Sequence, residues 1–334
     1  MQIEQIILKH TPDGQPRETD FSLGSGEICE IGEAVHGQAR VRVLALSLDP
    51  YLRSAMAGRH LGASIQPGDV VRGEGLVEVI ESRHPRMAAG QKWVAACGWR
   101  SQAVLDAAAI DAARPVGADV APATLALGVL GMPGLTAWAG FKLLADARPG
   151  DTLVVSAASG PVGATVGQLA KLSGCRVVGI AGGPEKCAWV TQVAGFDACI
   201  DYRADNLRDA LKRHAPGGID VYFDNVGGDS LLVVCEQLAL NARVVLCGLM
   251  AQYNGAPPVP LNPGLLIRAR ATVRGLVVYD HWGHLAEMLE EIGTHVRAGR
   301  LHYREDISHG LASAPAAFAR LMAGRNQGKA LIML

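Results

Sequence analysis

Gly160 and Gly163 stand in the run Ala158-Ser159-Gly160-Pro161-Val162-Gly163, and glycines at that spacing can bring backbone N–H groups up to an anion. With no Cβ, Gly160 lets a phosphate approach the main chain, and Gly163 lets a helix pack closely on the strand before it. The chemistry that suits such a turn is capture of a dinucleotide pyrophosphate at the positive end of a helix dipole. Ala158 stands where the usual G-x-G-x-x-G has its first glycine, so the pattern counts only in context. The context is present. A β-branched strand, Asp151–Ala157, enters the turn, an amphipathic helix runs to about Ser173, and Gly174 ends it before a second strand, Cys175–Ala181. A tight turn in some other doubly wound protein is the competing reading.

The tip of that second strand decides between dinucleotides. A fold that binds NAD usually carries Asp or Glu there for the adenosine ribose. Here the tip reads Ala181-Gly182-Gly183-Pro184-Glu185-Lys186. A small uncharged tip leaves room for a 2′-phosphate and Lys186 offers it a cation, which points to NADP. Glu185 supports the other reading, in which it serves the ribose and Lys186 is a solvated residue of the next helix.

In doubly wound sheets ligands gather at the carboxyl ends of the strands. Tyr202 ends the third strand, and Asn225 ends the fourth in Phe223-Asp224-Asn225-Val226-Gly227-Gly228, where an amide can face a ribose or a nicotinamide. The fifth strand runs into Cys247-Gly248-Leu249-Met250-Ala251-Gln252-Tyr253-Asn254, and the sixth into Leu276-Val277-Val278. Each has a plain structural reading beside the functional one. Asn-Val-Gly-Gly also suits a turn, and Tyr202 also suits a half-buried aromatic at a strand end.

The elements that must position these residues fall into three stretches. Up to about residue 125, strand-like runs (Ala39–Leu48, Asp69–Ile80, Gln91–Val104) broken by turn signals predict a mostly β domain. From about Leu127 to Arg297, strands and helices alternate. Strands are expected at Asp197–Tyr202, Ile219–Asp224, Ala242–Leu249 and Ala271–Val278, with helices near Asn206–His214, Ser230–Leu238 and from His281. About six strands with helices between them predict an α/β fold with a doubly wound parallel sheet. The end of the chain, with a strand at Lys329–Leu334, is expected to return to the first domain. The boundaries read 1–126, 127–297 and 298–334.

Composition sets the class. A chain of 334 residues suits two domains, and 49% hydrophobic against 19% charged residues excludes disorder. A net charge of −1 gives no electrostatic case for nucleic acid or an anionic membrane. The start, MQIEQIILKH, lacks a signal-like apolar run, and no segment is apolar enough to span a bilayer, so a cytoplasmic location is expected. Cys29, Cys97, Cys175, Cys187, Cys199, Cys235 and Cys247 are odd in number and form no C-x-x-C pair, which argues for core thiols rather than a disulfide framework. His281 and His284 lack a third ligand, and no metal site is expected.

Several separated blocks resemble the zinc-free medium-chain dehydrogenase/reductases. They are Leu46-Ser47-Leu48-Asp49-Pro50-Tyr51-Leu52-Arg53, Leu130-Gly131-Met132-Pro133-Gly134-Leu135-Thr136-Ala137, the glycine turn, Glu185-Lys186, the Phe223–Gly228 run and Cys247-Gly248 with Gln252-Tyr253-Asn254. Gly14-x-Pro16 with Asp20-Phe21 fits as well. Within that family the chain is similar to the leukotriene B/prostaglandin reductase and alkenal double-bond reductase branch, which includes curcumin-reductase-like enzymes. The resemblance covers nearly the whole chain. Ser54 and Ala55 depart from the Arg-Gly-Arg that many relatives carry after Asp-Pro-Tyr-Met, and the loop Ala57–Ser64 is individual.

The resemblance implies a GroES-like, mostly β catalytic domain beside a Rossmann NADP-binding domain, usually in a homodimer. It implies NADPH-dependent reduction of the C=C bond of small α,β-unsaturated ketones or aldehydes. Gly160, Pro161, Val162 and Gly163 would then hold the pyrophosphate, Lys186 the 2′-phosphate and Tyr202 the adenosine side. Asn225, the loop from Cys247 and Gly248 to Tyr253, Leu276, Val277, Val278 and Asn326 would line the rest of the cofactor. The chain has no Gly-His-Glu run, where zinc-dependent relatives place ligands, so hydride transfer is expected to proceed without a Lewis acid. Hydride added to the β-carbon of an enone puts charge on the carbonyl oxygen, and hydrogen-bond donors stabilise that enolate. Tyr253 and Tyr51 are the candidate donors, since a phenol keeps its proton at neutral pH, with the nicotinamide ribose hydroxyl as a third. For Tyr51 an aromatic wall of the pocket is the equal alternative. An NADPH:quinone reductase and a non-catalytic NADP(H)-binding protein remain as the other two functions.

Overall fold

The computed structural model describes residues 2–27 and 37–334; Cys29 lies outside the described residues. Near its start the chain alternates apolar and polar side chains, and the result is antiparallel strands with one face in a core. β1 (Gln2–Leu8) pairs with β2 (Phe21–Glu27). Then follow β3 (Ala39–Ser47), β4 (Glu74–Ser82), β5 (Lys92–Ala96), β6 (Gln102–Leu105) and β7 (Arg114–Pro115). β3 pairs with both β4 and β6, and β5 with β4 and β7. The strand expected from Asp69 begins only at Glu74. The run expected as one strand over Gln91–Val104 is two, β5 and β6, separated by the segment in which Gly98 takes φ 67°.

The second group of strands is short, rich in β-branched residues and buried along most of its length, as suits a parallel sheet covered on both faces. It comprises β8 (Thr152–Ser156), β9 (Arg176–Ala181), β10 (Ala198–Asp201), β11 (Ile219–Asp224), β12 (Leu238–Leu246) and β13 (Thr272–Gly275). All neighbours are parallel, in the order β10-β9-β8-β11-β12-β13. The order reverses between β8 and β11, which is the topological switch point where ligands of such sheets collect. The helix Pro161–Leu172 follows β8, Pro184–Gln192 follows β9, Leu207–His214 follows β10 and Gly228–Cys235 follows β11. Asn206 caps the third of these through its side-chain oxygen, which accepts from Asp209 N at 3.2 Å. β12 begins at Leu238, earlier than the expected Ala242, and β13 is shorter than the expected run.

β14 (Glu305–His309) and β15 (Lys329–Met333) close the chain. β15 lies antiparallel to β3 and parallel to β14, so the last strand joins the first sheet. The helix Ala314–Met322 between them is fastened by aromatic contacts in the same core. Phe318 stands edge-on to both Trp99 and Phe21, with ring centroids 5.6 and 6.2 Å apart, and Phe21 stacks on Trp99 at 5.9 Å. Such pairs add roughly 0.5–1.5 kcal/mol each beyond simple burial.

The chain divides into two compact units. One takes the residues up to Leu127, with Tyr253–Gly255 and Glu305–Leu334, and the other takes Gly128–Gln252 and Ala256–Arg304. Among the described residues no helix is long and apolar enough to cross a membrane.

Candidate functional site

At the end of β8 the chain turns sharply. Ala157 takes φ 50°, Gly160 N donates to Ala157 O at 2.9 Å, and Gly160 caps the helix Pro161–Leu172, with Pro161 as its first residue. Pro lacks an N–H that would be unpaired there anyway, and its fixed φ suits a first helical turn. A Cβ on Gly163 would lie 2.5 Å from Ala157 O and 3.1 Å from Ala158 Cα, so the helix rests directly on the turn that precedes it. Only glycine permits that approach, and the helix N-terminus is thereby held close to the strand end.

The neighbouring strand end at the switch point is stitched to β8 by polar groups. Ser156 Oγ donates to Asp224 Oδ1 at 2.9 Å and accepts from Asn225 N at 2.8 Å, while Asn225 Nδ2 donates to Ser156 O at 2.8 Å. Asp224 is fully buried and also accepts from the Tyr222 hydroxyl at 2.8 Å, Val226 N at 3.0 Å and Gly227 N at 3.0 Å. A buried carboxylate is tolerable only when its oxygens are satisfied in this way. Burial, and next the charge of Asp224, raise the Tyr222 phenol well above its ordinary range, which keeps it a donor. The backbone carbonyl of Asp224 accepts from Cys247 N at 2.8 Å and Gly248 N at 3.1 Å, tying in the loop after β12. Burial, and next Asp224, push the Cys247 thiol up to about 12, so it is neutral at physiological pH. Asp224 lies within the Phe223–Gly228 block, and its part as the shared acceptor is visible only once the strand ends meet.

The tip of β9 is small and carries no carboxylate. A Cβ on Gly182 would sit 2.8 Å from Tyr202 Cε1 and 2.9 Å from Arg203 Nε, so the turn after β10 lies against this tip. Lys186 is half-buried in the first turn of the helix Pro184–Gln192. Glu185, the rival for the ribose, is an ion-pair partner of Arg304, whose Nη2 lies 2.9 Å from its Oε1. Beyond β12 and β13, Leu276 N donates to Leu246 O at 2.9 Å, and Leu276 is buried while Val277 and Val278 are half-buried.

Tyr51, Tyr253 and Asn326 belong to the other unit. The turn Asp49-Pro50 starts the helix Tyr51–Met56. Tyr51 packs on the edge of the first core, and its ring lies 4.9 Å from that of His60 at 34°. Burial lowers the His60 pKa, and its Nδ1 accepts from Gly62 N at 2.9 Å, which leaves the ring neutral with its proton on Nε2. Tyr253 packs on the same core, and its backbone carbonyl accepts from Arg59 Nη2 at 3.4 Å. Arg53 is buried and donates to Pro12 O at 2.8 Å and Gly14 O at 2.9 Å, which explains why the Asp-Pro-Tyr block and the Gly14-x-Pro16 block occur together. Asn326 Nδ2 donates to Gly328 O at 2.8 Å within its own turn. His60 and Arg59 lie in the individual loop and had no pattern to mark them.

These residues fit a dinucleotide with a 2′-phosphate. A glycine-bearing turn stands at a helix N-terminus by the switch point, and the Arg203 guanidinium lies along the glycine tip of the second strand. Among the described residues no cluster of three or more His, Cys, Asp or Glu side chains is arranged to hold a metal ion.

Comparison with known proteins agrees with the geometry. The family model for zinc-binding dehydrogenases matches residues 161–294, and the model for the N-terminal domain of oxidoreductases matches residues 4–112. The chain is 39% identical to the NADPH-dependent curcumin reductase of Escherichia coli (strain K12), across 98% of this chain and 95% of that protein. It is 37% identical to a 2-alkenal reductase (NADP(+)-dependent) of Nicotiana tabacum, across 99% and 97% of the two chains. Its fold superposes with a TM-score of 0.91 on CurA from Vibrio vulnificus in complex with NADPH, at 36% identity and covering 99% of this chain and 98% of that one.

Proposed function

The chain belongs to the curcumin-reductase-like and alkenal double-bond reductase branch of the medium-chain dehydrogenase/reductases, and from that premise we propose that it reduces the C=C bond of small α,β-unsaturated ketones and aldehydes with NADPH. It is an NADP-dependent oxidoreductase acting on CH–CH groups. The observation that carries the reading is the glycine turn of Gly160–Gly163 at the switch point beside a glycine strand tip with the Arg203 guanidinium along it, within a chain similar end to end to such reductases.

Gly160, Pro161, Val162 and Gly163 would hold the pyrophosphate, Val162 and Gly163 through backbone N–H groups, with Pro161 starting the helix whose dipole faces the anion. Lys186 would take the 2′-phosphate and Tyr202 the adenosine side. Asn225, Cys247, Gly248, Leu276, Val277, Val278 and Asn326 would line the remainder. Ser156 and Asp224 hold Asn225 and the Cys247-Gly248 turn in place, so these walls need not reorganise on binding.

When bound, NADPH supplies hydride to the β-carbon of the substrate. As that bond forms, charge moves to the carbonyl oxygen, and the hydroxyls of Tyr253 and Tyr51 donate hydrogen bonds to it. The neutral His60 ring packs against Tyr51 and fixes its plane. A phenol at this oxygen can also return a proton to the enolate. No residue in this scheme calls for a metal, so the reaction is zinc-independent. The enzyme is expected to work as a cytoplasmic homodimer on a small molecule, with no nucleic-acid or membrane partner.

The test is a panel: the purified protein with NADPH and, separately, an alkenal, an enone and a quinone. Consumption of NADPH with a saturated carbonyl product supports the reading. Turnover of the quinone alone would replace it with a quinone reductase, and no turnover with any acceptor would leave a cofactor-binding protein.

A further inference from the structure

We propose that Arg203 is the second cation of the 2′-phosphate site and shares the phosphate with Lys186, so that the preference for NADPH over NADH depends on both. The inference rests on the NADP(H) reading above and names the residue that gives it selectivity.

Geometry places Arg203 at the right spot. In a doubly wound fold the tip of the second strand presents the group that distinguishes the ribose 2′ substituent. That tip is Gly182-Gly183, and the Arg203 guanidinium lies along it. A Cβ on Gly182 would be 2.9 Å from Arg203 Nε, and one on Gly183 would be 3.9 Å from Arg203 Nη1. Arg203 is nevertheless exposed, so a phosphate can reach it.

The side chain is also oriented. Its Cζ stands 5.8 Å over the Tyr202 ring, a cation–π contact that limits the freedom of a long side chain. The backbone is anchored by Asp201, whose Oδ1 accepts from Gly183 N at 2.8 Å and from Arg203 N at 3.0 Å. One carboxylate therefore holds the β9 tip and the turn carrying Arg203 in fixed relation.

Asp201 accepts those two backbone bonds, Asp205 accepts from Asp201 N at 3.2 Å, and Glu185 pairs with Arg304 at 2.9 Å. Lysine binds phosphate as a point charge, whereas arginine offers a planar pair of donors that grips two phosphate oxygens. Lys186 and Arg203 together would neutralise a dianionic 2′-phosphate.

Calorimetric titration of the full chain with 2′,5′-ADP and 5′-AMP, then with NADPH and NADH, tests this without recourse to turnover. Arg203→Gln should weaken 2′,5′-ADP and NADPH by roughly 10- to 100-fold, as expected for one charge-assisted contact, and leave 5′-AMP and NADH unchanged. Arg203→Lys should fall between the wild type and the glutamine variant. Unchanged 2′,5′-ADP affinity in Arg203→Gln would overturn the proposal, and so would an equal loss for 5′-AMP, which would assign Arg203 to the adenosine instead. A wild-type protein with no preference for 2′,5′-ADP over 5′-AMP would overturn the NADP(H) reading and this proposal with it.

Discussion

Lys329 Nζ donates to Asp49 Oδ1 at 2.5 Å, and both side chains are buried although 280 positions separate them. The Ser47 hydroxyl donates to the other oxygen of Asp49, and Lys329 also donates to Leu48 O at 3.2 Å. The last strand is thus bound to the turn from which the helix of Tyr51 starts. A buried pair of this kind contributes little compared with an apolar pair, but either partner alone is costly.

Lys329→Met should therefore lower stability by about 3–5 kcal/mol, because a buried carboxylate is left without its cation. Denaturant unfolding checks this, and adding Asp49→Asn should recover part of the loss. A stable single variant would mean that Asp49 finds another partner.

Lys186→Ala should weaken NADPH binding by roughly 1.5–3 kcal/mol, the size of a hydrogen bond to a charged group, and change NADH binding little. Fluorescence titration with the two cofactors reads the difference. Equal losses would remove Lys186 from the 2′-phosphate.

Gly163→Ala should act differently. Its Cβ would meet Ala157 O at 2.5 Å, so the first helical turn must lift away from the turn that holds the pyrophosphate. A stability loss of about 1–3 kcal/mol is expected, with NADPH and NADH weakened alike. Loss of NADPH binding alone would contradict the assignment.

Burial pushes the thiols of Cys97 and Cys247 up to about 12 and that of Cys235 up to about 11. Iodoacetamide at pH 8 should leave these three unmodified in the native protein and alkylate them in denaturant, since the thiolate is the reactive form. Peptide mass spectrometry locates the labels, and rapid native labelling of Cys247 would show that the loop after β12 opens.

The second sheet was legible because its strands are short β-branched runs between turn signals, and Ile219–Asp224 appears with the bounds its pattern suggests. The pattern was less informative where single residues make isolated bridges, as Val70 does with Ile7, so that the expected strand from Asp69 begins only at Glu74. Lys186 stands out in the sequence by its place after the glycine tip. Arg203, Arg304, His60 and Asp224 could not, because each matters through a neighbour that only the tertiary fold supplies.

In the proposed reaction hydride goes to carbon and a tyrosine hydroxyl receives the charge at oxygen. The product formed from a conjugated enone with NADPH, compared between the wild type and Tyr253→Phe, reads both points at once. The saturated ketone is expected from both proteins, with kcat in the Phe variant lower by roughly 10- to 1000-fold and cofactor affinity nearly unchanged. Unchanged kcat would leave the reaction standing and move the donor role to Tyr51 or the nicotinamide ribose hydroxyl. An allylic alcohol, from reduction of C=O in place of C=C, would contradict the proposed reaction outright.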